Sequence, residues 1–252
     1  MILNIGLCLC GGGAKGAYQA GVIKALYDRG INKFNSIAGT SIGAINGYFL
    51  FTENVDKLEE NWTNINKNIK NSMRIVDNTV DNSDVIEILS KLDNKSSEKM
   101  DFYVNYINIE NNIPKEEIVN LLDLNREEAL DSIRYSSLLP FNPKGTMGLH
   151  NQFINDLSQG LYNGYKLDGG LVNNTLIKPL LDKNFDKIIV IDTNHDYVLP
   201  DEIKNSNNVD NIILVRPKTI FDKNDTLKFE MEFCKNIYSE GYEIGKNLNI
   251  FM

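Results

Sequence analysis

Apolar residues near the start of the chain change from a continuous run to a helical spacing, and they do so twice. Residues 2–10 form an apolar run that ends at three glycines, and apolar positions at helical spacing then continue to Gly30. A second run, residues 34–38, enters another glycine-rich turn and is followed by a second helical pattern. Continuous apolar runs are typical of buried strands, and apolar residues that recur every three or four positions are typical of helices. The pattern therefore predicts two successive β-turn-α units.

Later runs extend the same scheme. Strands are predicted over residues 101–109, 187–193 and 211–216, and a closing helix over residues 229–247. Successive β-turn-α units build a parallel sheet covered by helices on both faces, in which sites form at the carboxyl ends of the strands. The predicted fold class is therefore α/β, with both glycine-rich turns on one edge of the sheet. Neither an internal repeat nor a flexible linker is found, so we expect a single domain over residues 1–252.

Residues 53–99 are more polar than the chain around them and predict helices and loops inserted above the sheet. One helical stripe within this insert contains five apolar residues, Leu58, Trp62, Ile65, Ile69 and Met73. Three basic residues lie nearby, namely Lys67, Lys70 and Arg74. A stripe of this kind either packs against the core or forms an interfacial or lid helix that faces lipid. The sequence leaves both interpretations open.

Composition places the chain among soluble globular proteins, because 42% of its 252 residues are hydrophobic and 24% are charged. The formal net charge of -8 disfavours binding to nucleic acid and electrostatic binding to an anionic membrane. No stretch approaches the roughly 20 apolar residues that cross a bilayer, so contact with a lipid surface would be peripheral. The three cysteines, Cys8, Cys10 and Cys234, match neither a disulfide framework nor a zinc site. Together with the absence of an export signal, they predict a cytoplasmic protein.

The first candidate for chemistry is a serine in the second glycine-rich turn. Gly39, Ser41 and Gly43 form a G-x-S-x-G pattern between a predicted strand and a predicted helix, which is the setting of a nucleophile elbow. Glycines permit the sharp turn that lifts a serine hydroxyl out of the sheet edge, and the following helix directs its positive end toward that hydroxyl. Because the pattern is common by chance, the prediction rests on its place between strand and helix. Ser41 is the candidate nucleophile.

The first glycine-rich turn offers the hydrogen-bond donors that a serine nucleophile needs. Gly11, Gly12 and Gly13 have no side chains, so their backbone N–H groups can converge on a small anion at the start of a helix. The same turn satisfies the dinucleotide-binding pattern Gly11-x-Gly13-x-x-Gly16. That pattern expects an acidic residue at the end of the second strand, and residues 36–39 contain none. Nucleotide binding without catalysis is the less favoured interpretation of this loop.

A carboxylate followed by two glycines is the third candidate. Asp168 ends a short run and precedes Gly169 and Gly170, which allow close approach to another loop. An Asp-Gly-Gly turn also has an ordinary structural explanation. The motif therefore gains weight only in combination with the other two.

Taken together, the three motifs resemble those of the patatin-like phospholipase family in order and approximate spacing: GGGAKG at 11–16, GTSIG at 39–43 and DGG at 168–170. IAGTSIGA at 37–44 is very similar to the family's nucleophile block, and DGGLVNN at 168–174 to its aspartate block. RYSSLLPF at 134–141 resembles the segment that precedes the aspartate. Lys15 stands where arginine is frequent in the family, and Thr175 where proline is common. The resemblance is weakest in the insert.

The resemblance implies a three-layer α/β/α fold with a mainly parallel sheet and a catalytic dyad of Ser41 and Asp168. It also implies an oxyanion hole built from the backbone at Gly11, Gly12 and Gly13. The flanking motif residues would support this site, namely Lys15, Gly16, Gly39, Gly43, Gly169 and Gly170. The implied reaction is hydrolysis of fatty-acyl esters of glycerophospholipids or lysophospholipids at a membrane or micelle surface, through an acyl-enzyme and without a metal or other cofactor.

For such a dyad, Asp168 must take a proton from Ser41 although the reference pKa of aspartate is only about 3.9. We therefore expect a desolvated site that raises the pKa of Asp168. A triad is the alternative, since Ser41, Asp168 and His195 occur in the chain order of an α/β-hydrolase triad. The other histidine, His150, is expected in an exposed polar loop.

Overall fold

The computed structural model describes residues 3–65, 74–93, 100–204 and 209–250. Its strands are β1 (Ile5–Leu9), β2 (Ser36–Thr40), β3 (Ile75–Val76), β4 (Thr79–Val80), β5 (Asp101–Glu110), β6 (Ile113–Asn120), β7 (Lys166–Asp168), β8 (Lys187–Ile191) and β9 (Ile212–Val215). Its helices are α1 (Gly16–Asp28), α2 (Ile42–Phe51), α3 (Val55–Thr63), α4 (Ser83–Ser90), α5 (Arg126–Ser136), α6 (Leu149–Ser158), α7 (Lys178–Leu181), α8 (Asp201–Lys204) and α9 (Met231–Lys246).

The central sheet has the strand order β6-β5-β2-β1-β8-β9. β5, β2, β1, β8 and β9 run parallel, whereas β6 pairs antiparallel with β5 at one edge. Strands buried on both faces need apolar residues at every position, which explains the continuous apolar runs. In β1, for example, Leu7 and Leu9 belong to one hydrophobic core and Cys8 to a second core on the opposite face. The predicted α/β class with a mainly parallel sheet is confirmed.

Helices cover the sheet unequally. The larger core contains the buried side of α1, α2 and α3 together with α9, and α1 packs along α9. A second core gathers around α7 and contains Leu176, Ile177 and Leu180. The predicted strands at 101–109, 187–193 and 211–216 are found as β5, β8 and β9, and the closing helix as α9. Within the described residues, none of the helices is both long and apolar enough to cross a membrane.

One edge of β5 is shared by two strands that meet end to end. Tyr103 pairs with β6 and β2, and Tyr106 pairs with β6 and β7, so β2 and β7 both lie on the edge opposite β6. Thr40, the last residue of β2, pairs with Asn105, and Asp168, the last residue of β7, pairs with the next residue, Tyr106. The carboxyl ends of β2 and β7 therefore meet on β5.

The insert differs from its prediction in one way. Its helix α3 packs against α1 and α9, so it is part of the helical layer that covers the sheet. β3 and β4, however, form a hairpin around Asp77 and Asn78, both at positive φ, where only helices and loops were expected. Asparagine and aspartate tolerate positive φ better than most residues, and a two-residue turn of this kind matches the twist of paired strands.

The apolar stripe of the insert is part of the core. Leu58, Trp62 and Ile65 are each at most 2% exposed and lie in the larger core. The core-packing interpretation therefore holds for these three residues. Ile69, Met73, Lys67 and Lys70 lie outside the described residues. Arg74, the remaining basic residue, is exposed and forms an ion pair with Asp81.

Candidate active site

Ser41 occupies a sharp turn between β2 and α2. Its backbone has φ 55° and ψ −121°, a region that non-glycine residues enter only when the surrounding structure holds them there. The turn forces the start of α2 against the end of β1, and a Cβ on Gly43 would lie 2.1 Å from the carbonyl oxygen of Leu9. Gly39 and Gly43 are also in close contact across the turn. The G-x-S-x-G pattern therefore forms the elbow that its setting predicts.

The structure brings Ser41 and Asp168 into direct contact. Ser41 Oγ donates a hydrogen bond to Asp168 Oδ2 at 2.5 Å, and Gly170 N–H donates to Asp168 Oδ1 at 2.8 Å. Ser41 N–H donates to the buried hydroxyl of Ser136 on α5 at 2.9 Å. This hydrogen bond connects the elbow to α5. Residues 127 positions apart thus form one hydrogen-bonded unit.

Asp168 is buried, being only 4% exposed. Burial raises its pKa to about 6, and the hydrogen bonds from Ser41 and Gly170 lower it by less. Desolvation disfavours the charged carboxylate because the protein interior solvates it less well than water. The direction agrees with the expectation for a base that accepts a proton near neutral pH.

The first glycine-rich turn lies beside Ser41, and the role expected for Gly11 needs a correction. A Cβ on Gly11 would lie 3.3 Å from the Cβ of Ser41, so the loop and the hydroxyl share one site. Gly11 N–H, however, donates to the carbonyl oxygen of Asn174 at 3.2 Å and is already occupied. Among the described residues, no hydrogen bond engages the N–H of Gly12 or Gly13. These two amides are the donors available to an anion.

Two further glycines of this turn, Gly13 and Gly16, make close contacts with other segments. Gly13 has φ 57°, and a Cβ there would lie 2.0 Å from the carbonyl oxygen of Thr226, so the position requires glycine. Gly16 begins α1 and lies against Ile42, the first residue of α2. The starts of the two helices therefore converge on the same site, and helix N-termini favour negative charge.

Lys15 lies in the same turn but not in the cavity around Ser41. It is 9% exposed, and its ammonium lies 6.0 Å from the centre of the Phe221 ring. Burial lowers its pKa, while the charges of Asp192 and Asp225 raise it. Lys15 thus contacts Phe221 and is not among the residues that line the cavity at Ser41.

A polar network behind the dyad was not found by sequence reasoning. Thr40 Oγ1 donates to Asn105 Oδ1 at 2.8 Å, and Asn105 Nδ2 donates to Glu116 Oε1 at 2.8 Å. Asn105 also donates to the carbonyl oxygen of Asn173 at 2.9 Å, and Asn173 Nδ2 donates to Glu116 at 3.0 Å. Gly169 packs directly on Asn105. The network thus links the elbow on β2 to the aspartate turn.

A cavity of about 190 Å³ opens at the dyad. Ser41, Asp168, Gly12 and Gly170 line it, together with Leu139, Leu149, His150, Leu171 and Asn174. No group of three or more His, Cys, Asp or Glu residues able to hold a metal ion is found in the described part of the chain. The cavity therefore combines a nucleophile, a base and the unoccupied amide of Gly12 with apolar walls.

One histidine lies near the dyad, and the other follows β8. His150 lies in the first turn of α6 and lines the cavity, so the predicted loop was wrong, whereas its predicted exposure is confirmed. His195 is 37% exposed, and its Nδ1 lies 3.9 Å from an oxygen of Asp196. Within the described residues, neither Ser41 nor Asp168 hydrogen-bonds to a histidine. The geometry therefore gives no support to the triad with His195.

Comparisons with known proteins point to one family. The family model of patatin-like phospholipases matches residues 7–181. A lysophospholipase, nte1 of Aspergillus terreus, is 59% identical over 44 residues, which are 18% of this chain and 3% of that protein.

Two solved structures align with 97% of this chain. VipD of Legionella pneumophila superposes with a TM-score of 0.50 at 12% identity, and 66% of that chain is covered. ExoU in its heterodimeric complex with SpcU, from the type III secretion system of Pseudomonas aeruginosa, has a TM-score of 0.45 at 15% identity, with 51% covered. The chain thus spans only part of the length of these relatives. Since the family model covers more than half of the chain and contains both Ser41 and Asp168, the chain belongs to the patatin-like phospholipase family.

Proposed function

We propose that this chain hydrolyses fatty-acyl esters of glycerophospholipids or lysophospholipids with Ser41 as nucleophile and Asp168 as base. The observation that carries the proposal is the 2.5 Å hydrogen bond from Ser41 Oγ to Asp168, in a site where burial raises the pKa of the carboxyl to about 6. A carboxylate with this pKa is ionised at neutral pH and is a stronger base than an exposed aspartate. Membership of the patatin-like phospholipase family supports an ester of a lipid as the substrate.

The reaction would proceed in two halves. Asp168 accepts the proton of Ser41 as Oγ attacks the ester carbonyl, and the N–H groups of Gly12 and Gly13 stabilise the oxyanion. The tetrahedral intermediate collapses to an acyl-enzyme when Asp168 returns the proton to the departing glycerol oxygen. Water then enters, loses a proton to Asp168 and attacks the acyl group. Collapse of the second intermediate returns that proton to Ser41 and releases the fatty acid.

The size of the cavity bears on how the lipid is presented. About 190 Å³ is less than the roughly 300 Å³ at which sites for whole drug-sized ligands begin. The cavity would therefore hold the ester and the adjoining methylenes, against Leu139, Leu149 and Leu171. The rest of the lipid would stay outside.

Exposed apolar residues next to the cavity are suited to a lipid surface. Val172 is 55% exposed and follows the lining residue Leu171, while Ile154 is 50% exposed and lies one turn beyond His150 on α6. Met147, 54% exposed, precedes the same helix. Because the net charge is -8, we propose peripheral contact with a zwitterionic surface.

The test is release of fatty acid from phosphatidylcholine vesicles and from lysophosphatidylcholine micelles by wild type, Ser41→Ala, Asp168→Asn and His195→Ala. We expect activity in wild type and His195→Ala, and no turnover above background in the other two. A fluorophosphonate probe should label wild type and should not label Ser41→Ala. Activity retained in either dyad variant would refute the assignment, and a large loss in His195→Ala would restore the triad.

A further inference from the structure

The backbone of Gly11 is held on both sides by residues far away in the sequence. Its carbonyl oxygen accepts a hydrogen bond from the hydroxyl of Thr193 at 2.8 Å, and its N–H donates to Asn174 at 3.2 Å. Asn174 Nδ2 also approaches the Gly11 carbonyl, but at 3.4 Å. Thr193 is fully buried, so its hydroxyl has no water to compete for this bond. The Thr193 bond is therefore the short contact that fixes the Gly11 carbonyl.

The register of the sheet explains why these residues meet. β1 and β8 are parallel, and Leu9 pairs with Ile191 at their carboxyl ends. The two segments continue side by side for two residues beyond the strands, to Gly11 and to Thr193. Asn194 N–H donates to Asp192 Oδ1 at 2.8 Å, which tightens the turn that carries Thr193.

Thr193 also lies directly against the next residue of the loop. A Cβ on Gly12 would lie 2.5 Å from Thr193 Oγ1 and 2.9 Å from its methyl carbon. Gly12 itself lines the cavity that holds Ser41. The peptide between Gly11 and Gly12 thus separates Thr193 from the cavity.

A trans peptide points its C=O and its N–H in opposite directions within one plane. The chain has no cis peptide bond in its described part, so a hydroxyl that holds the Gly11 carbonyl also sets the direction of the Gly12 N–H. We propose that Thr193 is a positioning residue of the oxyanion hole: it holds the Gly11 carbonyl, so that the Gly12 N–H is directed at the ester carbonyl beside Ser41. The inference rests on the proposed function, and it assigns a role to a residue beyond the 7–181 segment that the family model matches.

This role predicts an effect on kcat and little effect on KM. An oxyanion donor forms its strongest hydrogen bond in the transition state, where the carbonyl oxygen carries negative charge. Removing such a donor outright costs on the order of 100- to 1,000-fold in kcat, and loosening it should cost less. We expect Thr193→Val, which keeps the shape and removes the hydroxyl, to lower kcat by roughly 10- to 100-fold with KM within about twofold.

Two further variants separate the hydroxyl from packing. Thr193→Ser keeps the hydroxyl and should keep kcat within about threefold, since the donor is retained. Thr193→Ala removes the hydroxyl without a new methyl group, so it should repeat the loss of kcat even if Thr193→Val folds poorly. The rate of fluorophosphonate labelling should fall in parallel, because the phosphonyl oxygen occupies the same hole.

A matched control exists at Thr52. This residue is also buried, and its hydroxyl also donates to a backbone carbonyl at 2.8 Å, that of Tyr48 on α2, while it accepts from Asn54 Nδ2 at 3.0 Å. Thr52→Val should therefore lower Tm at least as much as Thr193→Val and leave kcat unchanged. Unchanged kcat in Thr193→Val and Thr193→Ala, or an equal loss in Thr52→Val, would overturn the role of Thr193.

The same series distinguishes this inference from the proposed function. If wild type hydrolyses the lipid ester and Ser41→Ala does not, the proposed function stands whatever the Thr193 variants do. If wild type neither hydrolyses lipid esters nor reacts with the fluorophosphonate, the proposed function fails and the oxyanion role fails with it.

Discussion

The two reacting side chains lie in regions that are built in different ways. The elbow that carries Ser41 is made by adjacent elements, β2 and α2, and its two glycines, Gly39 and Gly43, are four positions apart. The turn that carries Asp168 follows a strand of three residues and is held by β5, β6 and the network of Asn105, Glu116 and Asn173. A local motif thus supplies the nucleophile, whereas long-range pairing places the base. Substitutions should therefore act differently on the two sides.

The largest expected effect is on the aspartate side, from Asp168→Asn. Loss of the base should lower kcat by roughly 10⁴-fold, as expected when an aspartate that orients and assists proton transfer is neutralised. The fold should survive, because an asparagine can accept from Gly170 N–H with its oxygen and donate to Ser41 with its amide. Activity and unfolding by urea, measured on the same sample, check this separation.

The stability of Asp168→Asn should depend on pH in a defined direction. The pKa of Asp168 is raised from 3.8 to about 6 on folding, so the native state favours the protonated form. The burial of Asp168 does not lower the free energy of unfolding well below pH 3.8, and it lowers that free energy by about 3 kcal/mol once the pH is well above 6. Relative to wild type, Asp168→Asn should gain stability between pH 4 and pH 7. A constant difference across this range would contradict the burial of an ionisable carboxyl.

The second effect is on the elbow side, from Gly43→Ala. The added Cβ would lie 2.1 Å from the carbonyl oxygen of Leu9, which is backbone and has little freedom to move. We expect a loss of about 3–5 kcal/mol in the free energy of unfolding, together with the loss of activity. Gly148→Ala is the control, since a Cβ there meets nothing within 4 Å and φ is −60°. Equal destabilisation by the two changes would contradict the close approach of α2 and β1.

The smallest effect should come from the network behind Asp168. Glu116→Ala removes the shared acceptor of Asn105 and Asn173, and we expect a loss of about 1–2 kcal/mol in unfolding free energy and roughly tenfold in kcat. Glu117→Ala on the same strand loses a partly exposed ion pair with Lys115 and should change unfolding free energy by less than about 0.5 kcal/mol. Identical behaviour of the two variants would show that the network does not position the aspartate turn.

The same contrast explains what the sequence could predict. The strands of the parallel sheet are apolar on both faces, and the elbow is a pattern within five residues, so local periodicity and motif spacing identify both. β6 was not predicted because this edge strand contains charged residues, such as Lys115 and Glu117, that interrupt an apolar pattern. β7 was not predicted because three residues are too short for a periodicity. Their assignment needs the partner strand, which no local pattern contains.

The sequence predicted the reacting residues of the site but not the residues that position them. Ser41 and Asp168 lie in glycine-rich turns, whereas Asn105 and Glu116 are ordinary polar residues within β5 and β6, and Thr193 is one two residues beyond the end of β8. Gly11 was assigned as a donor from its lack of a side chain, and only the position of Asn174 reveals that its N–H is occupied. Tertiary contacts that join distant segments carry this information.

Because β2 and β7 meet end to end on one edge of β5, the register of these strands sets the distance between Ser41 and Asp168. A shift of β7 by one position along β5 would displace Asp168 by about 3.3 Å and turn its carboxylate to the opposite face of the sheet. Register changes only by whole residues, so no smaller displacement of Asp168 is possible by this route. A single residue inserted or deleted between 106 and 168 that shifts this pairing would therefore abolish proton transfer, while most of the fold would persist.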